Sequence, residues 1–254
     1  MPTRGSSTRD GLMDVLVRTQ EGEGYDSVAQ GWSSRVILLR HVDIFLRYRH
    51  WITPGTILDW GCRHAPDSAL IRASEDGEAS TLHGCDVGPT RCAEAHAAIQ
   101  LVYRPLEHPY QLPYDDATFD TVIGSGVLEH VPDDDASLRE LHRVIKPGGR
   151  LIITFLPNRW SYTEWASRRL KAIHHRRLYA RARFRRQLLS RGFWPLVIGH
   201  HQMLPSLAAK GRRFGKLNRL VEHAYALNGA AEQVPGLRVL ASNLWAVAEK
   251  RAMM

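Results

Sequence analysis

Apolar and polar positions alternate along this chain with two different periods. From Tyr25 to Trp51, the residues Val28, Trp32, Val36, Leu39, Val42, Ile44, Phe45 and Tyr48 recur mostly every three or four positions. That spacing predicts an amphipathic helix, or two. Pro54-Gly55 marks a turn. Two short apolar runs follow, Thr56-Ile57-Leu58-Asp59-Trp60 and the weaker Leu82-His83-Gly84-Cys85-Asp86, and each closes at or beside an acid. Runs of this kind suit strands buried on both faces of a parallel sheet. Phe119 to Ser125 and Arg150 to Phe155 predict further strands. Helical spacing fills the intervals, through Ala69, Leu70 and Ala73, then Cys92, His96 and Ile99. A helix from Asp134 to Ile145 turns Leu138, Leu141, Val144 and Ile145 inward, and Lys146-Pro147-Gly148-Gly149 stops it. Alternating strands and helices predict an α/β fold with a mostly parallel sheet covered on both faces.

The texture changes after Asn158. Leu170, Ile173, Arg177, Ala180, Phe184 and Leu188 form one stripe within Ser167 to Leu189, with Arg at most other positions. That predicts one basic amphipathic helix. Gly192 to Ile198 reads as a strand, Leu217 to Leu227 as a helix and Asn243 to Glu249 as a closing strand. The chain therefore divides into a loose segment 1–24, a core 25–158, and a basic helical elaboration 159–254 whose final strands complete the sheet.

Composition sharpens this division. The 254 residues are 44% hydrophobic and 24% charged, as in soluble globular proteins. No run approaches the roughly 20 apolar residues of a membrane-spanning helix, and residues 1–10 lack a secretory apolar run. Three cysteines without metal-type spacing suggest reduced thiols and a cytoplasmic location. The net charge of +8 hides an asymmetry. Residues 1–158 carry 15 Lys plus Arg against 22 Asp plus Glu, whereas residues 159–254 carry 19 against 4. The basic run includes Arg168, Arg169, Arg176, Arg177, Arg181, Arg183, Arg185 and Arg186. Such a face attracts anionic partners: a phosphate-bearing metabolite, a lipid headgroup at a peripheral membrane contact, or RNA. No RNA-binding module or aromatic stacking signature accompanies it, so nucleic acid is not favoured.

In open α/β sheets, ligands bind beyond the carboxyl ends of the strands. Here Asp59 precedes Gly61, and Asp86 ends the next apolar run. A carboxylate there offers two acceptor oxygens to neighbouring ribose hydroxyls.

These residues resemble the class I S-adenosylmethionine-dependent methyltransferases, in their small-molecule branch. Asp59-Trp60-Gly61-Cys62-Arg63-His64-Ala65 matches the family's acid-x-Gly-Cys-Gly-x-Gly loop, and Asp86 matches its second acid. Leu112 to Asp120 matches the stretch before the fourth strand. Ser125-Gly126-Val127-Leu128-Glu129-His130-Val131-Pro132, followed by Lys146-Pro147-Gly148-Gly149, is the most specific block. The resemblance covers about residues 55–158 and implies a Rossmann-like, doubly wound fold with S-adenosylmethionine as cofactor. Two family glycines are replaced, by Arg63 and Ala65, and the usual adenine-side Asp is absent, with Glu107 and His108 in its place.

The resemblance implies cofactor contacts at Asp59, Gly61, Arg63, Asp86, Val87, Glu107, His108, Ser125 and Gly126. His130 is the candidate general base, set against a structural role at the helix entry. Tyr25 and Trp32 are candidate acceptor contacts from the N-terminal helix, and His200 and His201 from the predicted late strand. One quinone-biosynthesis subgroup carries a Glu-x-x-Glu-His motif that resembles a divalent-metal site. Here Gly126 replaces the first Glu, and two remaining ligands are a poor site for a hard cation, so no metal is expected. The expected activity is methylation of a hydroxyl or amine on a small-molecule acceptor bearing an anionic group. Two alternatives stand beside it: an RNA methyltransferase using the Arg-rich face, and a non-catalytic scaffold with a degenerate cofactor loop.

Overall fold

The computed structural model describes residues 8–20, 34–74, 79–90, 92–170, 175–203, 223–225, 227–234 and 236–251. Seven strands form one sheet: β1 (Thr56–Trp60), β2 (Thr81–Val87), β3 (Leu101–Leu106), β4 (Phe119–Ser125), β5 (Ile145–Pro157), β6 (Phe193–His201) and β7 (Asn243–Lys250). Their order is β3-β2-β1-β4-β5-β7-β6. Strands β1 to β5 pair in parallel, and β7 lies antiparallel between β5 and β6. The chain starts at β1 and winds outward in one direction, then returns to β4 on the other side. Strands β1 and β4 are therefore neighbours at the switch point, where the crevice of such sheets opens.

Helices cover both faces: α1 (Arg9–Gln20), α2 (Ser34–Tyr48), α3 (Pro66–Ala73), α4 (Ala93–Ala98), α5 (Asp134–Val144), α6 (Tyr162–Arg169), α7 (Arg181–Ser190) and α8 (Asn228–Gln233). Successive strand residues point to opposite faces. Leu58, Val122 and Leu151 join the apolar cluster beneath α5 and α7, which contains Leu138, Leu141, Phe184 and Leu188. Their chain neighbours Ile57, Ile123 and Ile152 join the opposite cluster beneath α1, α2 and α3, with Leu16, Phe45 and Leu70. Truncating one of these fully buried residues to Ala costs about 2–5 kcal/mol.

Besides the unpredicted α8 and a β5 that starts at Ile145 rather than Arg150, three elements differ from the sequence expectation. Residues 9–20, expected to be loose, form α1, because Leu12, Met13 and Leu16 pack into that second cluster. Arg9 also pairs with Asp43 at 2.7 Å. Strand β3 was not predicted, since Arg104-Pro105 interrupts its apolar run. It lies at the sheet edge, where a proline costs no ladder bond. The single basic helix is two helices. Between them Tyr179 bridges to Asn158, and its hydroxyl donates to Leu128 O at 3.1 Å. Arg177 donates to Leu128 O, Val131 O and Pro132 O at 2.7–3.0 Å. Those tertiary bonds hold the segment against the core and override the helical stripe. The basic half is also partly paired across the division, through Arg191 to Asp135 and Arg177 near Asp134.

Tyr25, Trp32 and most of the helix expected at 217–227 lie outside the described residues. No helix among the described residues is long and apolar enough to cross a membrane.

Candidate active site

The loop after β1 is built by backbone bonds. Gly61 N–H and Cys62 N–H both donate to Cys85 O, at 2.7 and 3.1 Å. Gly61 has φ +70°, and a Cβ there would lie 2.4 Å from Val127 Cγ2. The two positions where the family has glycine keep a glycine-type backbone, with φ 43° at Arg63 and 51° at Ala65. Holding ordinary side chains in that region costs about 1–2 kcal/mol each. Surrounding bonds hold the conformation. Arg63 N–H donates to Asp86 Oδ2 at 3.0 Å, and Val87 N–H donates to Asp86 Oδ1 at 2.7 Å. His96 Nε2 meets Arg63 O at 2.8 Å, and Cys92 Sγ meets His64 Nδ1 at 3.0 Å.

Asp86 is half-buried, and each of its oxygens retains acceptor capacity. Val87 beside it is 78% exposed, an apolar surface adjoining a carboxylate. Glu107 and His108, just past β3, are exposed, and His108 Nδ1 accepts from Tyr110 N–H at 3.1 Å.

A second carboxylate pair lies beneath the loop. Asp59 is buried and accepts from Ser68 Oγ at 2.6 Å. Asp67, in the first turn of α3, accepts from Tyr48 Oη at 2.5 Å. Burial, reinforced by the Asp67 charge, raises the Asp59 carboxyl to about 7. Asp59 thus ties the β1 end to α3 and supports the loop from below.

The other end of the crevice is organised differently. Ser125 Oγ bonds Thr154 Oγ1 at 2.8 Å, and Gly126 N–H donates to Thr154 O at 3.1 Å. The next β5 residue, Phe155, sits at a register shift with φ 56°. A Cβ on Gly126 would lie 3.9 Å from Phe155 Cβ, so Phe155 adjoins the β4 turn. Around its ring stand His41 at 4.9 Å, His201 at 6.0 Å and the Arg40 guanidinium at 4.9 Å. Neither His201 Nε2 nor Tyr225 Oη has a hydrogen-bond partner among the described residues, and His41 Nδ1 has Asp67 only at 3.8 Å. Burial, with Arg40 nearby, lowers the pKa of both histidines, which favours neutral imidazoles. Glu232 lies 3.4 Å from His201 Nδ1 and is held by Asn228, Gln202 N–H and Arg47.

Of the predicted late pair, His201 joins this cluster and is fully buried. Strand alternation turns the half-buried His200 to the other face. Sequence reasoning missed His41, Arg40 and Phe155. The available signal was Arg40-His41 interrupting the apolar stripe of α2 between Leu39 and Val42. His130, the candidate base, is 66% exposed on the turn after β4, with Nε2 3.7 Å from Glu129 Oε1. The Glu129 carboxyl is buried and raised to about 8 by that burial. The sequence counted two metal-type ligands here. The fold adds His175, whose ligand atom lies within 4.8 Å of those of Glu129 and His130.

A parallel sheet with a tight left-handed loop after β1 and an acid at the end of β2 defines a Rossmann-like methyltransferase fold. Residues 58–153 match the family model described as a methyltransferase domain. Through these residues the chain is similar to the S-adenosylmethionine-dependent methyltransferases, whose fold it shares. It is 47% identical over 64 residues to a demethylmenaquinone methyltransferase of Streptomyces griseus, covering 23% of this chain and 28% of that one. It is 34% identical over 136 residues to the demethylmenaquinone methyltransferase of Bacillus mycoides, covering 47% and 56%. The chain thus spans between about a quarter and about half the length of these relatives. Among solved structures, a methyltransferase of Thermotoga maritima superposes with a TM-score of 0.60 at 13% identity, covering 94% of this chain and 100% of that one. One of Methanosarcina mazei gives 0.56 at 14% identity, covering 82% and 98%. At these identities the superpositions speak to the fold alone.

Proposed function

We propose that this protein transfers a methyl group from S-adenosylmethionine to a hydroxyl or amine of a small-molecule acceptor carrying an anionic group. The observation that carries this reading is the side-chain cluster around Phe155. It adjoins Gly126 at the β4 end and presents the unpartnered Nε2 of His201, whose Nδ1 faces Glu232 at 3.4 Å. Buried polar atoms are almost always paired, so a ligand is their natural partner.

In this reading the Asp86 carboxylate receives the ribose hydroxyls, and Val87, Glu107 and His108 border the adenine. The Asp59–Gly61 loop lies beneath the amino-acid end, with Arg63 N–H already fixed on Asp86. Ser125 and Gly126 border the methyl end. S-adenosylmethionine supplies an electrophilic methyl on a sulfonium. The chain's own task is to hold the acceptor in line and exclude water. Neutral His41 or His201 accepts the proton released by a hydroxyl or amine. Arg40 receives the acceptor's anionic group. The first test is a thermal shift with S-adenosylmethionine and its demethylated product. No shift with either at millimolar ligand would remove the reading.

A second reading takes the acceptor named for the relatives, a demethylmenaquinone, methylated at carbon. One surface favours it: Trp160 (59% exposed), Trp165 (63%) and Leu170 (78%) stand beside Arg168 and Arg169. Aromatic and basic residues together suit a lipid interface. Locating the new methyl by NMR of the product, on carbon or on a heteroatom, decides between the two.

A further inference from the structure

Glu129, His130 and His175 come together from two parts of the chain. The first two occupy the turn after β4, and His175 arrives from the segment between α6 and α7. The Glu129 side chain is 3% exposed, and its Oε2 has no hydrogen-bond partner among the described residues. The imidazoles of His130 and His175 stand 5.7 Å apart, centroid to centroid. His175 is oriented from behind. Its Nδ1 meets Glu164 Oε1 at 2.6 Å, and its backbone N–H donates to Glu164 Oε2 at 3.2 Å. Arg168 Nη2 donates to its carbonyl at 2.9 Å. A histidine whose Nδ1 is fixed on a carboxylate offers Nε2 as a ligand, with raised basicity.

We propose that Glu129, His130 and His175 bind a divalent transition-metal ion of the zinc class, with Glu164 as the orienting carboxylate behind His175. Two imidazoles and one carboxylate suit zinc-like ions and not magnesium, which prefers oxygen ligands. The buried Glu129 carboxylate gains in the ion the partner that the protein does not provide. Three protein ligands leave a position for water or an acceptor oxygen. Arg177 lies close enough to Glu129 to affect its charge and opposes cation binding, while Glu164 offsets it. Metal binding is read without reference to methyl transfer, so the site stands or falls by metal binding alone.

The test is calorimetric titration of chelator-stripped full-length protein with Zn²⁺, with Co²⁺ absorption as a second probe. A Cys92→Ser background removes the competing Cys92–His64 pair. One equivalent of Zn²⁺ with a Co²⁺ ligand-field band is expected, and no Mg²⁺ binding. His175→Ala abolishes the binding, and Glu164→Gln weakens it about 10-fold or more. His130 is 66% exposed, so His130→Ala keeps the fold and serves if His175→Ala does not. Failure of the protein to bind Zn²⁺ at millimolar metal overturns the site. Undiminished affinity in folded His175→Ala or His130→Ala also overturns it, because the ion is then held elsewhere.

Discussion

The two ends of the crevice differ in how their polar atoms are satisfied. At the β1–β2 end, Gly61, Cys62, Arg63 and Val87 all spend their N–H groups on Cys85 O or the Asp86 carboxylate. At the β5–β6 end, His201 Nε2 and Tyr225 Oη are buried without a partner among the described residues, and His41 Nδ1 has Asp67 only at 3.8 Å. Leaving such an atom unpaired costs about 1–3 kcal/mol. The first end is pre-formed and strained, so a ligand adds contacts to a finished frame. The second is unfinished, and a ligand there completes it. Cofactor affinity should therefore depend on the first end, and turnover on the second.

Asp86→Ala tests the finished end most severely. It removes two backbone acceptors and both proposed ribose contacts, so S-adenosylmethionine affinity should fall about 100-fold or more. Calorimetry that finds unchanged affinity would break the assignment. At the unfinished end, His201→Leu should lower turnover about 100-fold, the scale of a lost general base. Cofactor affinity should stay within two-fold, about the noise of such comparisons. Equal loss of both quantities would erase the distinction between the ends.

Smaller effects sharpen the contrast. Arg63→Gly and Ala65→Gly relieve left-handed strain, so each should stabilise by about 1 kcal/mol. For a chain of this size that raises Tm by about 2–4 °C in a melting scan. A lower Tm in both would show the loop unstrained. Asp59 is tested through pH. Its folded carboxyl sits at about 7, against about 3.9 in an unfolded chain. The folded state therefore binds the proton more tightly. The contribution of this group to stability is full below about pH 4 and is lost as pH rises to about 7. Asp59→Asn should flatten the fall in Tm between about pH 5 and about pH 7.5. An unchanged slope would remove Asp59 from the account.

What the sequence disclosed follows from periodicity. Strands β1, β4 and β5 and helix α5 were legible because unbroken apolar runs and a regular stripe leave few alternatives. Asp86 was legible because it terminates a strand. Edge strand β3 was not, because Arg104-Pro105 disrupts the apolar signal that buried strands display. The cluster around Phe155 was hidden for another reason. His41, Phe155 and His201 lie on three elements far apart in sequence, and none carries a local motif. His175 likewise gains meaning only when Tyr179 and Arg177 dock its segment onto the β4 turn. The replaced glycines were legible as departures, but only the backbone reveals that Arg63 and Ala65 retain left-handed angles.

Strand β7 has a consequence for synthesis. It sits between β5 and β6 although it follows both in sequence. When β6 leaves the ribosome, the place beside it is still vacant. At translation speeds of about 5–20 residues per second, the wait from His201 to Lys250 is roughly 3–10 s. During that interval the parallel half can fold, while the late segment remains an unpaired nascent chain. The like charges of its arginines repel one another, which opposes association of copies before β7 inserts and closes the sheet.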